Sequence, residues 1–203
     1  MKTSHPWALC AIALSLLSTG AAAQGVPERN FYVGTSIGAM LIRPEGVSET
    51  DTNRTASGRA SPGVFVGARV GALPIGEGWP VFVELGYQDI ARHTVPYKTR
   101  NGTSELTASG HSAYAAGKVH FWTPGNFALY GKLGIAQSSV KGSTPAGQPA
   151  IPISGNGTSL LWGVGGQYDL DGGLSLRIEL TSLGETSAKS SAGGLSLGLA
   201  YRF

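Results

Sequence analysis

The sequence has little cysteine and little charge, and it lacks a long apolar segment after residue 24. Its one cysteine, Cys10, lies near the N-terminus, so the rest of the chain has no disulfide framework. Charged residues make up 13% of the chain, about half the share of an ordinary soluble domain. A transmembrane helix needs about 20 consecutive apolar residues, and no such run follows residue 24. The net charge of +3 is too small to indicate a nucleic-acid partner. These shortages disfavour both a soluble enzyme and a helical membrane protein.

The first residues have the pattern of a secretory signal peptide. Lys2 and His5 precede a short apolar run at 7–17, and small residues at 21–23 stand before Gln24. A weakly basic start, an apolar core and a small-residue cleavage site are typical of such a signal. Cys10 is not placed just before a cleavage point, so a lipoprotein anchor is not expected. We therefore predict a cleaved signal peptide at 1–23 and one mature domain at 24–203.

Apolar residues alternate with small or polar residues through most of the mature chain. A period of two is typical of β-strands that have two different faces. One face carries the apolar side chains, and the other carries Gly, Ser and Tyr with the charged residues. The predicted strands are eight, at 31–42, 63–71, 81–88, 112–121, 127–137, 159–168, 174–183 and 194–203.

The connections between the predicted strands alternate in length. Short segments at 72–80, 122–126 and 169–173 alternate with longer polar stretches at 43–62, 89–111, 138–158 and 184–193. Short turns on one side and long loops on the other are typical of outer-membrane barrels. We therefore predict an all-β fold, an eight-stranded antiparallel transmembrane β-barrel with an up-and-down meander. Its even strand number places both chain ends on the periplasmic side.

The positions of the charged residues favour a membrane barrel over a soluble β-sandwich or a lipocalin-like barrel. A Lys or Arg that faces lipid near the midplane costs about 2–4 kcal/mol, so charges within the strands are expected on the inner face. Seven residues follow this rule: Arg69, Glu84, Lys118, Lys132, Arg177, Glu179 and Arg202.

An eight-stranded barrel is only wide enough for its own side chains, and buried charges must be paired. We predict a structural network of interior charges, in which Arg69 and Glu84 are near each other and Arg202 is solvated at the rim. The network members are Arg69, Glu84, Lys118, Lys132, Arg177 and Glu179. It plugs the barrel; the alternative is a gated path for small solutes.

Several segments resemble a known family. The residues at 194–203 alternate and end in aromatic residues, with Leu199, Tyr201 and Phe203 on one parity; they resemble an outer-membrane insertion signal. Segments 31–38, 83–87 and 176–180 are similar to strands of the small OmpA-like and OmpX-like eight-stranded outer-membrane barrels. This resemblance implies recognition by the barrel-assembly machinery. Since the sequence ends at Phe203, no peptidoglycan-binding domain is expected.

The expected function is structural support of the envelope or surface contact through the polar loops. The partners would be outer-membrane lipid, lipopolysaccharide and host surface molecules. A low-conductance channel and a lipid A-modifying enzyme are the alternatives; for the enzyme, His93 and His111 border a loop beside Ser112, and a Ser–His pair is the minimum for acyl transfer. No carboxylate is placed to orient either histidine. We therefore expect no catalytic or metal residues, no cofactor and no enzyme activity.

Overall fold

The structure is a computed structural model that describes residues 30–44, 57–58, 60–75, 78–99, 102–143, 154–184 and 190–203. Most of these residues lie in eight long strands. In chain order they are β1 (Phe31–Pro44), β2 (Ser61–Leu73), β3 (Trp79–Thr99), β4 (Gly102–Trp122), β5 (Phe127–Ser143), β6 (Ser154–Asp169), β7 (Leu174–Leu183) and β8 (Ser190–Arg202). A two-residue strand, Ser57–Gly58, pairs with β3 at His93 and Thr94. The predicted signal peptide lies outside the described residues.

The eight strands form a closed barrel in which each strand pairs antiparallel with its neighbours in the chain. The first and last strands close it, with Tyr32 opposite Arg202 and Pro44 opposite Ser190. This confirms the predicted eight-stranded up-and-down meander. Both ends of the barrel domain lie beside the three short connections, which we call the short-turn end. We call the opposite end the loop end.

The strands β3 and β4 are longer than predicted. They remain paired out to Thr99 opposite Gly102, so most of the stretch predicted as a loop at 89–111 is a hairpin. The strand β5 likewise continues to Ser143, and β6 begins at Ser154. The apolar alternation stops before the hydrogen-bonded ladder does, because only the part of a strand that faces an apolar medium must be apolar on its outer face.

The outer wall carries an exposed belt of large apolar side chains. Ile135 and Leu133 are 60% exposed, and Leu197 is 59% exposed. A soluble protein rarely exposes a contiguous apolar surface of this kind, whereas a barrel in lipid requires one. None of the described residues form a helix of the length and apolar character needed to span a membrane.

Aromatic rings gather on the outer wall near the short-turn end. The ring of Phe31 stacks on that of Phe203 with the centroids 6.4 Å apart, and Trp122 meets Phe127 edge-on at 6.0 Å. Such aromatic girdles mark the level where a membrane meets water. The girdle therefore bounds the apolar belt on this side.

The interior contains three layers, which follow one another along each strand. On β3, the inward side chains of Phe82, Glu84 and Ile90 follow one another from the short-turn end toward the loop end, and these three are buried. The aromatic layer nearest the short-turn end contains Tyr32, Phe65 and Phe82. A charged layer follows, and an apolar layer fills the side toward the loop end. The apolar layer corrects the expectation that the inner face carries only Gly, Ser, Tyr and charges. Its larger members are Met40, Ile90, Val140, Leu161 and Leu183.

Candidate functional site

The carboxylate of Glu84 is the centre of the charged layer. It is completely buried, and both of its oxygens accept hydrogen bonds. Oε2 accepts from the Tyr32 hydroxyl at 2.8 Å and from Arg177 Nη1 at 2.8 Å. Oε1 accepts from the Tyr114 hydroxyl at 2.9 Å and from Lys132 Nζ at 3.4 Å. Four donors on four other strands therefore meet at this one side chain.

Glu179 is the second carboxylate of the layer. Its Oε2 accepts from Arg177 Nη2 at 2.7 Å and from the Tyr130 hydroxyl at 2.9 Å. Its Oε1 accepts from Lys132 Nζ and from the Thr181 hydroxyl. Arg177 and Lys132 each bridge the two carboxylates, so cations and anions alternate around a closed ring. Such charge-assisted pairs are the stronger class of protein hydrogen bond.

Lys118 is the third cation of the layer and has a different environment. Its ammonium is 3.9 Å from Glu84 Oε2, which is longer than a hydrogen bond. It lies 4.4 Å from the ring centroid of Tyr32, 5.0 Å from that of Phe82 and 5.1 Å from that of Tyr130. Cation–π attraction to these faces is worth about 2 kcal/mol or more when the cation is desolvated. The aromatic rings thus accommodate the positive charge that the two carboxylates leave unbalanced.

Three interior tyrosines reach the charged layer by lying across glycines on the neighbouring strand. A Cβ at any of these glycines would collide with the tyrosine ring or hydroxyl, because the ring fills the space that a side chain would need. Glycine at these positions therefore sets where the tyrosine hydroxyls point. The pairs are Tyr32 with Gly67, Tyr114 with Gly86 and Tyr130 with Gly165.

The structure brings together five of the six residues predicted for the network and corrects the placement of Arg69. Its side chain is exposed at the short-turn end, and Phe82, not Glu84, is opposite it. A bulge between Arg69 and Gly71 interrupts the ladder there, and the residue is exposed at the rim. Arg202, expected at the rim, lies 3.5 Å from Asp169 with its side chain 29% exposed.

The apolar layer was not anticipated from the sequence. Ile90, Leu161 and Leu183 are at most 2% exposed, although they lie on the parity assigned to polar residues. Between this layer and the charged one is a cavity of about 40 Å³ whose wall includes Ser36 and Gln88. It has room for a few water molecules. The sequence does contain a signal for this layer, because Met40, Ile90, Val140, Leu161 and Leu183 all fall on the loop side of their strands.

The candidate Ser–His pair of the enzyme alternative is not formed between His111 and Ser112. The two residues are consecutive in β4, so their side chains lie on opposite faces of the wall. His111 is exposed outside, and Ser112 is buried inside, where its oxygen accepts a hydrogen bond from Ser138 Oγ at 3.0 Å. His93 is also buried inside. Within the described ranges, no group of three or more His, Cys, Asp or Glu is arranged to hold a metal ion.

The family model for the outer membrane protein beta-barrel domain matches residues 9–203. The chain belongs to this family. The match confirms the resemblance to small outer-membrane barrels and places the protein in the outer membrane. A search of curated protein sequences found no match.

Solved structures show the same fold at low sequence identity. Neisserial surface protein A is 18% identical, with 85% of this chain and 97% of that chain covered at a TM-score of 0.53. Ail of Yersinia pestis, in complex with the heparin analogue sucrose octasulfate, is 20% identical, with 86% and 99% covered at a TM-score of 0.48. The outer membrane enzyme PagL is 9% identical, with 85% of this chain and 99% of that chain covered at a TM-score of 0.44. At 18% identity, the likeness to Neisserial surface protein A shows the fold alone.

The C-terminal residues predicted as an assembly signal lie on the lipid-facing side of β8. Leu199, Tyr201 and Phe203 are all exposed. The backbone N–H of Phe203 donates to the Phe31 carbonyl at 2.9 Å, and that of Phe31 donates to the Phe203 carbonyl at 3.3 Å. The chain end is thus part of the seam that closes this outer-membrane barrel.

Proposed function

We propose that the protein is a sealed outer-membrane barrel that supports envelope integrity and makes surface contacts through its loop end. The observation that carries this proposal is the double closure of the interior, by the charged ring and by the apolar layer above it. An ion would have to separate buried ion pairs and then pass the closely packed apolar layer, and apolar constrictions oppose conduction.

Export and assembly are part of the same proposal. Residues 1–23 would direct the chain across the inner membrane and be cleaved. The barrel-assembly machinery would then recognise the outward residues Leu199, Tyr201 and Phe203 at the chain end. Support for this comes from their exposure on one face of β8 and from the seam that Phe203 forms with Phe31.

The long β3–β4 hairpin supports a role at the cell surface. β2 pairs with β3 only as far as Gly63 opposite Gln88, whereas β3 continues to Thr99. At about 3.3 Å per residue, the remaining strand is roughly 35 Å long, enough to pass beyond the headgroups. Lipopolysaccharide and host surface molecules are the proposed partners of this end.

A low-conductance channel is the second candidate. The cavity against Lys132, Arg177 and Glu179 favours it, because water in the cavity could enter the charged layer when the ion pairs exchange partners. Such a path would also require the apolar layer to separate. The lipid-modifying enzyme is not proposed on the pair His111 and Ser112, because their side chains lie on opposite faces of the wall.

The test compares cells that lack the gene with cells that carry the wild-type protein or a shortened hairpin. In the shortened form, Asn-Gly replaces residues 95–106 and connects Thr94 to Thr107, whose hydroxyls are 3.1 Å apart. Asn-Gly is a preferred two-residue hairpin turn. We expect the deletion to increase detergent sensitivity and both proteins to restore resistance. Adhesion and serum survival should be restored only by the full hairpin. A deletion that changes none of the three would overturn the proposal.

A further inference from the structure

The outer wall carries a polar cleft near the loop end, above the apolar belt. It has a volume of about 210 Å³ and spans the strands β3, β4 and β5. We call it the outer cleft, and we define it by the polar side chains Asp89, Arg92, Ser109, His111, Ser139 and Lys141. The interior network does not include any of them.

Strand register places these residues in two rows across the three strands. In the lower row, Asp89 is opposite His111, and His111 is opposite Ser139. In the upper row, Ser109 is opposite Lys141. Neighbouring strands are about 4.8 Å apart, so side chains from the outer two strands can reach one group bound over the middle strand.

A β-bulge brings Arg92 into the upper row. Ile90 is opposite Gly110 and His93 is opposite Ala108, which leaves Ala91 and Arg92 together opposite Ser109. The extra residue keeps Ile90 and His93 buried inside while the Arg92 side chain is exposed outside. Ala91 N–H donates to the Ser61 hydroxyl at 3.0 Å and holds the bulge. Bulges are known to redirect a side chain in this way.

The surface changes from apolar to charged within a short distance below the cleft. Leu85 and Ile135 face the lipid, and two residues further along β3 the ring of Tyr87 stacks on that of His111 at 5.9 Å. The step from Leu85 to Asp89 is four residues, about 13 Å along the strand. An amphiphile whose chains lie against Leu85 and Ile135 would therefore have its headgroup in the cleft.

The charges of the cleft indicate which headgroup it suits. Arg92 and Lys141 are exposed, and within the described part of the chain neither forms an ion pair with another residue. Guanidinium and ammonium groups bind phosphate well. Asp89, the one carboxylate, cannot bind phosphate but accepts hydrogen bonds from sugar hydroxyls. A ligand with both groups fits better than a simple anion.

We propose that the outer cleft binds the phosphorylated sugar headgroup of a glycolipid in the outer leaflet, with Arg92 and Lys141 on phosphate and Asp89 on sugar hydroxyls. The inference rests on the proposed envelope role and names the lipid through which that role is exerted. It applies to the lateral wall of the barrel and not to the projecting hairpin.

The experiment titrates the folded protein in detergent micelles with three lipids and counts bound molecules by native mass spectrometry. The lipids are diphosphorylated lipid A, dephosphorylated lipid A and phosphatidylglycerol. We expect diphosphorylated lipid A to bind at least about tenfold more tightly than the other two lipids. Dephosphorylated lipid A lacks the phosphate, and phosphatidylglycerol lacks the sugar. If dephosphorylated lipid A bound as tightly as diphosphorylated lipid A, the cleft would not recognise phosphate. If phosphatidylglycerol bound as tightly, the cleft would not recognise the sugar.

The variants assign the binding to the cleft. The double variant Arg92→Gln/Lys141→Gln should bind diphosphorylated lipid A about tenfold more weakly. The control Arg69→Gln removes one exposed cation at the opposite end and should bind normally. If the double variant does not fold, Lys141→Gln lies outside the bulge and should weaken binding about threefold. Unchanged binding in the folded cleft variant refutes the inference. The detergent-resistance comparison, made with intact wild-type protein, would still stand.

Discussion

Replacing Glu84 by Gln is the sharpest test of the charged layer. The substitution preserves size, so it creates no cavity, but it removes one of two carboxylates that face three buried cations. The new amide nitrogen can only donate, and on the Oε2 side it would face Arg177 Nη1, now at 2.8 Å. On the Oε1 side, the amide oxygen would still accept from Tyr114.

The expected cost follows from leaving a buried cation without its partner. Removing one member of a buried ion pair costs about 3–5 kcal/mol, and Glu84 is the member that contacts all three cations. We expect the free energy of unfolding to fall by that amount. The measurement is equilibrium urea unfolding in lipid vesicles, followed by fluorescence of the tryptophans on β3, β4 and β6.

The matched control is Asp169→Asn, which neutralises a carboxylate that is 40% exposed and 3.5 Å from Arg202. Exposed pairs are worth at most about 1 kcal/mol, so this variant should unfold nearly like the wild type. If Glu84→Gln were no more destabilising than Asp169→Asn, the ring of ion pairs would not stabilise the barrel.

Three further substitutions test the charge of Lys118, the packing of Tyr130 and the role of the chain end in assembly. Lys118→Met removes the unbalanced cation and should change stability by less than about 2 kcal/mol in the same assay; a loss as large as that of Glu84→Gln would mean that its charge is required. Gly165→Ala places a methyl group 2.5 Å from the Tyr130 ring and 2.6 Å from the Ile178 carbonyl, and should cost about 1–3 kcal/mol; wild-type stability would contradict this packing. Phe203→Ala should lower the amount of heat-modifiable barrel in outer-membrane fractions, and an unchanged amount would remove the chain end from assembly.

The outer face of the barrel could be predicted from the sequence because lipid imposes a strict rule. A charged side chain has only the inner face available, so the parity of Glu84, Lys118, Lys132, Arg177 and Glu179 was sufficient to place them inside. The strand count followed from the same alternation. The rule determines whether a side chain faces the interior or the lipid, and it holds wherever the wall is in lipid.

The contacts inside the barrel could not be predicted in the same way. Glu84 and Arg177 are 93 residues apart in sequence, and they meet across the interior only because strand stagger and closure bring them to one level. The aromatic surroundings of Lys118 depend on the same stagger. The prediction for Arg69 was wrong because the strand register puts it opposite Phe82, two residues nearer the short turn than Glu84, and the apolar alternation does not determine register.

The apolar layer and the long hairpin were not predicted, because the alternation rule applies only to the lipid-facing surface. The alternation rule constrains the outer face, and it does not require the inner face to be polar, so Leu161 and Leu183 could fill the interior without breaking it. Beyond the lipid, as at Thr94 and Thr107, neither face needs to be apolar, and the strand continues without a hydrophobic signature.

The current through a planar bilayer shows whether the barrel is sealed. Purified wild-type protein is inserted into the bilayer and the current is recorded over a range of voltages in molar salt. Because the charged ring and the apolar layer both close the interior, we expect no current above that of the protein-free bilayer. Reproducible discrete current steps from the wild-type protein would contradict the account and favour the channel.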